Sequence, residues 1–164
     1  MDNTYTLGDL VKITGAKPRS LQLWADRKVI RAIKNTDDSG SGVHRRFSRD
    51  ETIIACIIQA FALRHMSIGQ LKAIADGLRN ELGPEGWDML RDAAGGKENR
   101  YIDDTFVIYF TRFVPNKKGV LEEDYSIGIV DELAINAESF AHNLKEPSAM
   151  IMTIRLETYL SKLK

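Results

Sequence analysis

Two short helices joined by a tight turn are predicted at the start of the chain, and they constrain its fold more than any other feature. Thr6 and Asp9 form a capping-box pattern ahead of apolar residues at helical spacing, and Gly15 ends that segment. Pro18 then opens a second helix, because a proline at the first helical position forfeits no hydrogen bond. The second helix has one apolar and one polar face. This arrangement predicts a helix-turn-helix.

The residues after the second helix have the pattern of a two-stranded wing. Residues 30–34 and 43–47 alternate apolar and polar side chains, and the stretch TDDSGSG between them is typical of a long hairpin tip. Alternation places every second side chain on the same face, so Phe47 is predicted to anchor the wing to the core. The sequence therefore predicts a β-hairpin here.

Two further capping patterns follow the wing. Ser48 with Glu51 predicts one helix, and Ser67 ahead of IGQLKAIADGLRNEL predicts another. The order helix, turn, helix, wing, helix, helix predicts a winged helix-turn-helix over residues 1–82.

The charge is distributed unevenly, although the formal net charge is zero. Residues 1–80 carry 13 Lys and Arg against 8 Asp and Glu, whereas residues 81–164 carry 10 against 15. Within residues 17–49 there are 9 basic and 3 acidic side chains. A basic block of this kind favours contact with a polyanion, and an ordinary solvated surface is the alternative.

Three motifs occur in order along residues 4–78. They are the opening TLGDLVKITG, the second-helix stretch PRSLQLWADRKVI and the wing ending HRRFS, with MSIGQLKAI further on. Together they resemble the DNA-binding domain of MerR-type transcriptional regulators. The resemblance implies a sequence-specific regulator with the second helix in the major groove of double-stranded DNA and the wing on the phosphate backbone. It also implies a homodimer, and it makes RNA polymerase a candidate partner.

The sequence departs from the family's pattern at two positions in the second motif. Ala25 stands where the family usually has Glu, and Lys28 stands where it has Gly. The chain at Lys28 is expected to need a left-handed backbone, which costs about 1 kcal/mol for a residue other than glycine.

The candidate DNA contacts lie on the second helix and the wing. Cations at the start of a helix favour a phosphate there, and alternation points the two wing arginines to opposite faces, so that one is expected to pair inward. The resemblance assigns Arg45 to the DNA backbone. Ordinary surface cations are the alternative, and Trp24 is predicted to be a core residue. The predicted DNA-binding residues are Lys17, Arg19, Ser20, Gln22, Leu23, Arg45 and Arg46.

The second half lacks the long pairing helix of MerR-type regulators. Gly83-Pro84 and Gly95-Gly96 allow only a short helix, so residues 83–97 are predicted to be a connecting segment. Residues 98–164 are predicted to form a small α+β module for dimerisation or effector binding. The fold class is therefore α+β, with predicted strands at 105–114, 125–130 and 149–154 and predicted helices at 132–144 and from 156 onward.

No catalytic or metal-binding motif is present, so the sequence predicts neither an enzyme nor a cofactor. Cys56 cannot form an internal disulfide and is predicted to be an inert core residue. The first residues do not resemble a signal peptide and no apolar run reaches membrane length, so a cytoplasmic protein without a membrane partner is expected. No small-molecule effector is identified. Two alternatives stay open: an excisionase-like or phage small-terminase-like architectural DNA-binding protein, and an adaptor whose winged domain binds protein.

Overall fold

Helices make up most of the described N-terminal part of the protein, and three strands make up most of the described C-terminal part. The computed structural model describes residues 4–36, 44–95, 105–131, 150–155, 157–160 and 163. The helices are α1 (Leu7–Thr14), α2 (Pro18–Asp26), α3 (Arg49–Ala62), α4 (Ile68–Glu81), α5 (Pro84–Gly95) and α6 (Glu157–Leu160). The strands are β1 (Tyr5–Thr6), β2 (Arg46–Phe47), β3 (Thr105–Pro115), β4 (Leu121–Asp131) and β5 (Met150–Arg155). Within these residues, no helix has the length and apolar character needed to cross a membrane.

Helix α3 is the centre of the helical domain. Every residue from Thr52 to Ile58 is buried, because α1, α4, α5 and α6 all pack against this helix. A helix that is apolar on all sides is stable only when it is enclosed in this way. The buried hydroxyl of Thr52 donates to the carbonyl of Ser48 at 2.8 Å, so its burial leaves no unmet donor.

The capping signals predicted for α1 and α4 are confirmed. The N–H of Asp9 donates to the hydroxyl of Thr6 at 3.2 Å, and the N–H of Thr6 donates back to the Asp9 carboxylate at 2.9 Å. Ser67 and Gln70 form the same reciprocal pair at the start of α4. Gly15 ends α1 with φ at 71°, a conformation that glycine adopts without steric cost.

The hairpin predicted for residues 30–34 and 43–47 is wrong within the described residues. The first segment is not a strand, and a 3₁₀ turn begins at Lys34 and ends at Thr36. Strand β2 pairs instead with β1 in a small antiparallel sheet, with Phe47 opposite Tyr5. The N-terminal domain is therefore a helical helix-turn-helix unit with a small two-stranded sheet.

In this segment, side-chain oxygens accept hydrogen bonds from backbone N–H groups that would bond to the opposite strand in a regular hairpin. The N–H of Arg31 donates to the carboxylate of Glu51 at 2.8 Å, and the N–H of Arg46 donates to the hydroxyl of Thr36 at 2.9 Å. Among the described residues, one backbone hydrogen bond joins the two segments, from the N–H of Ile33 to the carbonyl of Arg46 at 2.7 Å. These bonds to side chains distant in the sequence occupy backbone N–H groups that strand pairing would use, and the backbone of this segment is irregular. Apart from Thr36, the predicted tip, residues 36–42, lies outside the described residues.

An antiparallel three-stranded sheet occupies the C-terminal half. Its strand order is β4–β3–β5, and Tyr109 of the central strand lies opposite Ile127 on one side and Met152 on the other. Helix α4 contacts β4, and α3 contacts β5. The predicted strands 105–114 and 125–130 lie within β3 and β4, and residues 150–154 of the third predicted strand lie within β5, whereas residue 149 lies outside the described residues. The helix predicted over residues 132–144 lies outside the described residues.

A tight turn joins β3 to β4. The side-chain oxygen of Asn116 accepts hydrogen bonds from the N–H groups of Lys118 and Val120 at 2.8 and 3.0 Å. Gly119 has φ at 75°, which favours glycine at this position. The sequence here, Pro115 to Gly119, is rich in the residues that tight turns favour.

Residues beyond the predicted winged domain complete its hydrophobic core. Leu90 and Ala94 of α5 are fully buried, and Leu160 and Leu163 are 1% and 6% exposed in the same cluster. Helix α6 packs on both α3 and α5. The domain boundaries stay a prediction, and a chain cut after Leu82 would lack these four core side chains.

Candidate nucleic-acid interface

Helix α2 has the two faces that its sequence predicts. Leu21, Trp24 and Ala25 are buried against the domain core, which confirms the core role predicted for Trp24. Arg19 and Gln22 are exposed, and Leu23 is 46% exposed. An exposed helix face of this length fits the major groove of B-DNA, where such side chains can reach base edges.

The start of α2 combines positive side chains with the positive end of the helix dipole. Lys17 is the N-cap residue, is exposed, and has extended backbone. Pro18 follows at the first helical position, as predicted. The carbonyl of Lys17 accepts from the N–H groups of Ser20 and Leu21 at 2.9 and 3.2 Å, so the first turn is well formed. Lys17 and the exposed Arg19 flank a helix terminus that favours a phosphate.

The end of α2 is fixed by a Schellman motif with a lysine in the left-handed position. Lys28 has φ at 59°, which confirms the conformation predicted for it. Its N–H donates to the carbonyl of Ala25 at 3.1 Å, and the N–H of Val29 donates to that of Trp24 at 2.8 Å. These bonds end the helix sharply and turn the chain toward the wing segment, residues 30–47.

The two wing arginines occupy different environments. Arg45 is the inward one: its side chain is 20% exposed, and its Nη1 donates to the carboxylate of Asp26 at 2.7 Å. Arg46 is exposed. The Arg45 ion pair joins the wing to the last residue of α2, so a phosphate that approaches Arg45 also meets the carboxylate of Asp26.

The candidate contacts from α2 and the wing therefore adjoin one another. Asp26 belongs to the exposed face of α2 and binds Arg45 directly, which brings that arginine beside the helix. The contact of each predicted residue with DNA stays a prediction. Ser20 and Arg45 are the half-buried members of the set.

Two features of this region escape the sequence reasoning. The first is the role of Asp26, which shares a face with Arg19 and Gln22 but bonds to a residue 19 positions away. The second is Glu51, predicted as the capping partner of Ser48. Its N–H does donate to the Ser48 hydroxyl at 3.2 Å, but its carboxylate binds Arg79 and the N–H of Arg31. The basic residues that surround Glu51 and Asp26 in the sequence are the feature from which these ion pairs could have been predicted.

Metal binding finds no support in the described residues. Among them, no group of three or more His, Cys, Asp or Glu side chains is placed to hold a metal ion. Cys56 is 1% exposed in α3, within the apolar core predicted for it.

The N-terminal part of the chain matches a known protein family. Residues 5–78, somewhat less than half of the chain, match the family described as MerR HTH family regulatory protein. No curated protein matches the chain. The N-terminal part of this chain is therefore a MerR-type helix-turn-helix domain, the kind of domain that suggests a DNA-binding transcription regulator.

Proposed function

We propose that this protein is a sequence-specific DNA-binding transcription regulator that places α2 in the major groove and the wing segment on the phosphate backbone. The observation that carries this proposal is the exposed face of α2, which begins with Lys17 and Arg19 and ends beside Arg45. Helix-turn-helix proteins read base edges with such a face and use flanking cations for phosphates.

The residues of this surface divide into two roles. Arg19, Gln22 and Leu23 are exposed on α2 and supply base-edge or adjacent phosphate contacts. Lys17, Arg45 and Arg46 supply sequence-independent attraction to the phosphates. Ser20 lies between the two groups, in the first turn of α2.

Alanine substitutions separate these roles. Arg19→Ala or Gln22→Ala should weaken binding to a duplex selected by the wild-type protein from a random pool by about 1–3 kcal/mol. Arg45→Ala should weaken binding to selected and scrambled duplexes alike, and it should reduce the slope of log affinity against log salt by about one. Fluorescence titration at several fixed salt concentrations measures both quantities.

The matched control removes the same charge far from this surface. Arg64 follows α3 at its far end and donates to the carbonyl of Ala60, whereas β2 lies at the start of the same helix. The fourteen residues of α3 separate Arg64 from the wing strand β2 by about 20 Å. Arg64→Ala should keep wild-type affinity. Wild-type affinity in the Arg19, Gln22 and Arg45 variants as well would overturn the proposed docking.

Genome-wide binding of the full chain tests the biological role. Enrichment at promoters supports a regulator. Enrichment at attachment or packaging sites would point to the excisionase-like or small-terminase-like alternative, and no DNA enrichment would point to the protein-binding adaptor.

The proposed regulator binds DNA as a homodimer. A single helix-turn-helix unit buries little DNA surface, and two-fold symmetric half-sites add the missing contacts. The pairing helix of MerR-type regulators is replaced here by α5, which has 12 residues and packs against α3 of its own chain. The dimer contact is therefore assigned to residues 98–164.

A further inference from the structure

An ion pair between α3 and α4 is almost completely enclosed. Arg79 of α4 and Glu51 of α3 have side chains that are 10% and 14% exposed. Nε and Nη2 of the guanidinium donate to the two carboxylate oxygens at 2.8 and 2.7 Å. Two parallel bonds of this kind fix the relative orientation of both groups, which a lysine could not do.

The same ion pair binds the backbone that follows α2. Nη2 of Arg79 also donates to the carbonyl of Val29 at 2.7 Å. The carboxylate of Glu51 accepts from the N–H of Arg31 at 2.8 Å. The three-residue segment from Val29 to Arg31 is thus held by the guanidinium at one end and by the carboxylate at the other.

A second carboxylate extends this contact along α4. Asp76 accepts hydrogen bonds from Arg79 at 2.9 Å, from Arg31 at 2.8 Å and from Lys72 at 2.6 Å. Burial opposes the charged form of Asp76, but the hydrogen bond from Lys72 and the neighbouring positive charges outweigh it and lower the pKa of this carboxyl. The carboxylate is therefore charged at neutral pH and helps to hold Arg79 in place.

The position of this cluster matters because of what precedes the segment. Val29 comes directly after Lys28, the left-handed residue that ends α2. An ion pair this enclosed is weak support for stability but well suited to fixing geometry. Because the segment is continuous with both elements, a displacement of it would move the end of α2 and the start of the wing together.

We infer that Glu51 and Arg79 are positioning residues of the DNA interface, which set the angle of α2 and the wing segment through the backbone at Val29 and Arg31. This inference rests on the proposed function. Because neither side chain lies on the exposed face of α2, their effect is on discrimination between DNA sequences and not on the number of phosphate contacts.

Arg79→Lys tests this inference in the full chain. The variant keeps the positive charge and loses the planar fork. We expect its affinity for a wild-type-selected duplex to fall at least ten-fold, while its affinity for a scrambled duplex of equal length stays within about two-fold. The salt dependence should stay that of the wild type, since no phosphate contact is lost. Circular dichroism at the titration temperature confirms that the variant is folded.

Arg91→Lys is the matched control. Arg91 of α5 makes a second two-bond ion pair with α3, to Asp50 at 3.0 and 2.8 Å, without contacting the segment after α2. This variant should keep the wild-type ratio of the two affinities. If Arg79→Lys also keeps that ratio, or loses both affinities equally, the inference is overturned.

If Arg79→Lys does not fold, the same binding measurements are made on Glu51→Gln instead. The amide keeps the size of the side chain and an acceptor for the N–H of Arg31 but removes the charge that holds Arg79. The same loss of discrimination is expected, and an unchanged ratio would again overturn the inference. Absence of binding by the wild type to every duplex would instead refute the proposed function.

Discussion

Lys28 holds a backbone conformation that glycine adopts more readily. Its φ of 59° lies in the left-handed region, where the Cβ of an L-residue crowds the following carbonyl. The Schellman bonds at the end of α2 require this conformation whatever the side chain. The protein therefore carries local strain directly beside its candidate DNA-binding helix.

Lys28→Gly should raise the free energy of unfolding by about 1 kcal/mol, because glycine removes the steric cost of the left-handed backbone. Urea denaturation followed by circular dichroism measures the change. Lys28→Ala is the control: it removes the side chain but keeps the Cβ, so no stabilisation is expected. Equal stability of the glycine and alanine variants would contradict this account of strain.

The stabilisation that the N-terminal cap of α1 provides depends on pH through the carboxyl group of Asp9. The hydroxyl and then the N–H of Thr6 donate to its carboxylate, and both bonds lower the pKa of Asp9 below the ordinary value of 3.8. The folded state therefore binds this proton less readily than the unfolded state. The resulting stabilisation is present above about pH 4 and disappears as the pH falls through the lowered pKa.

Asp9→Asn should flatten the loss of stability on acidification, because the amide has no proton to take up. Urea denaturation between pH 2 and pH 6 checks this, with Thr6→Ser as a control that keeps the hydroxyl donor and the wild-type pH dependence. The same pH profile in Asp9→Asn and in the wild type would rule out this contribution.

Helix α5 is short and packs against α3, at the position in the chain where MerR-type regulators have a long pairing helix. Its Arg91 bonds to Asp50 at the start of α3 and lies over the ring of Trp87, 5.7 Å from the ring centre. The hydrogen bonding of its guanidinium, which donates to the Asp50 carboxylate, is the main cause that raises the pKa of Arg91. These contacts hold α5 against α3 of the same chain.

Helix α6 is part of the same core, although it lies about eighty residues after α4. Leu160→Ala should lower the free energy of unfolding by about 2–5 kcal/mol, because it leaves a cavity beside α3 and α5. Leu63→Ala is the control, since Leu63 is 61% exposed and its loss should change stability by less than about 0.5 kcal/mol. Equal effects of the two substitutions in urea denaturation would show that α6 does not stabilise the domain.

At the scale of the whole molecule, the three-stranded sheet contacts the MerR-type domain, since α4 contacts β4 and α3 contacts β5. Because α4 contacts β4 and also holds the segment after α2, this helix touches both the candidate interface and the sheet. The proposed dimer would then place its contact close to the elements that orient α2.

The full chain should sediment as a homodimer, free and bound to DNA. A selected duplex should contain two inverted half-sites whose centres are about 34–36 Å apart or a multiple of this distance. Analytical ultracentrifugation gives the mass and the stoichiometry, and a duplex with one half-site destroyed is the matched control, with an expected loss of affinity. A monomer in both states would refute the dimer.

Much of the helical domain could be predicted from the sequence because its signals act over a few residues. Caps at Thr6 and Ser67, the glycine at position 15 and the proline at position 18 each satisfy or remove backbone bonds within one turn. The left-handed Lys28 follows from the same local logic. The polar face of α2 could be recognised for the same reason, since helical spacing alone places Arg19 and Gln22 together.

The tertiary structure alone decided how these elements are held together. The bond between Asp26 and Arg45 spans 19 residues, and the bond between Arg79 and the carbonyl of Val29 spans 50. A hydrogen bond depends on distance in space, and no local pattern records which distant donor will arrive at a carboxylate or carbonyl. The wing shows this clearly: alternation predicted a hairpin, but Glu51 bound the N–H of Arg31 and left β2 to pair with β1.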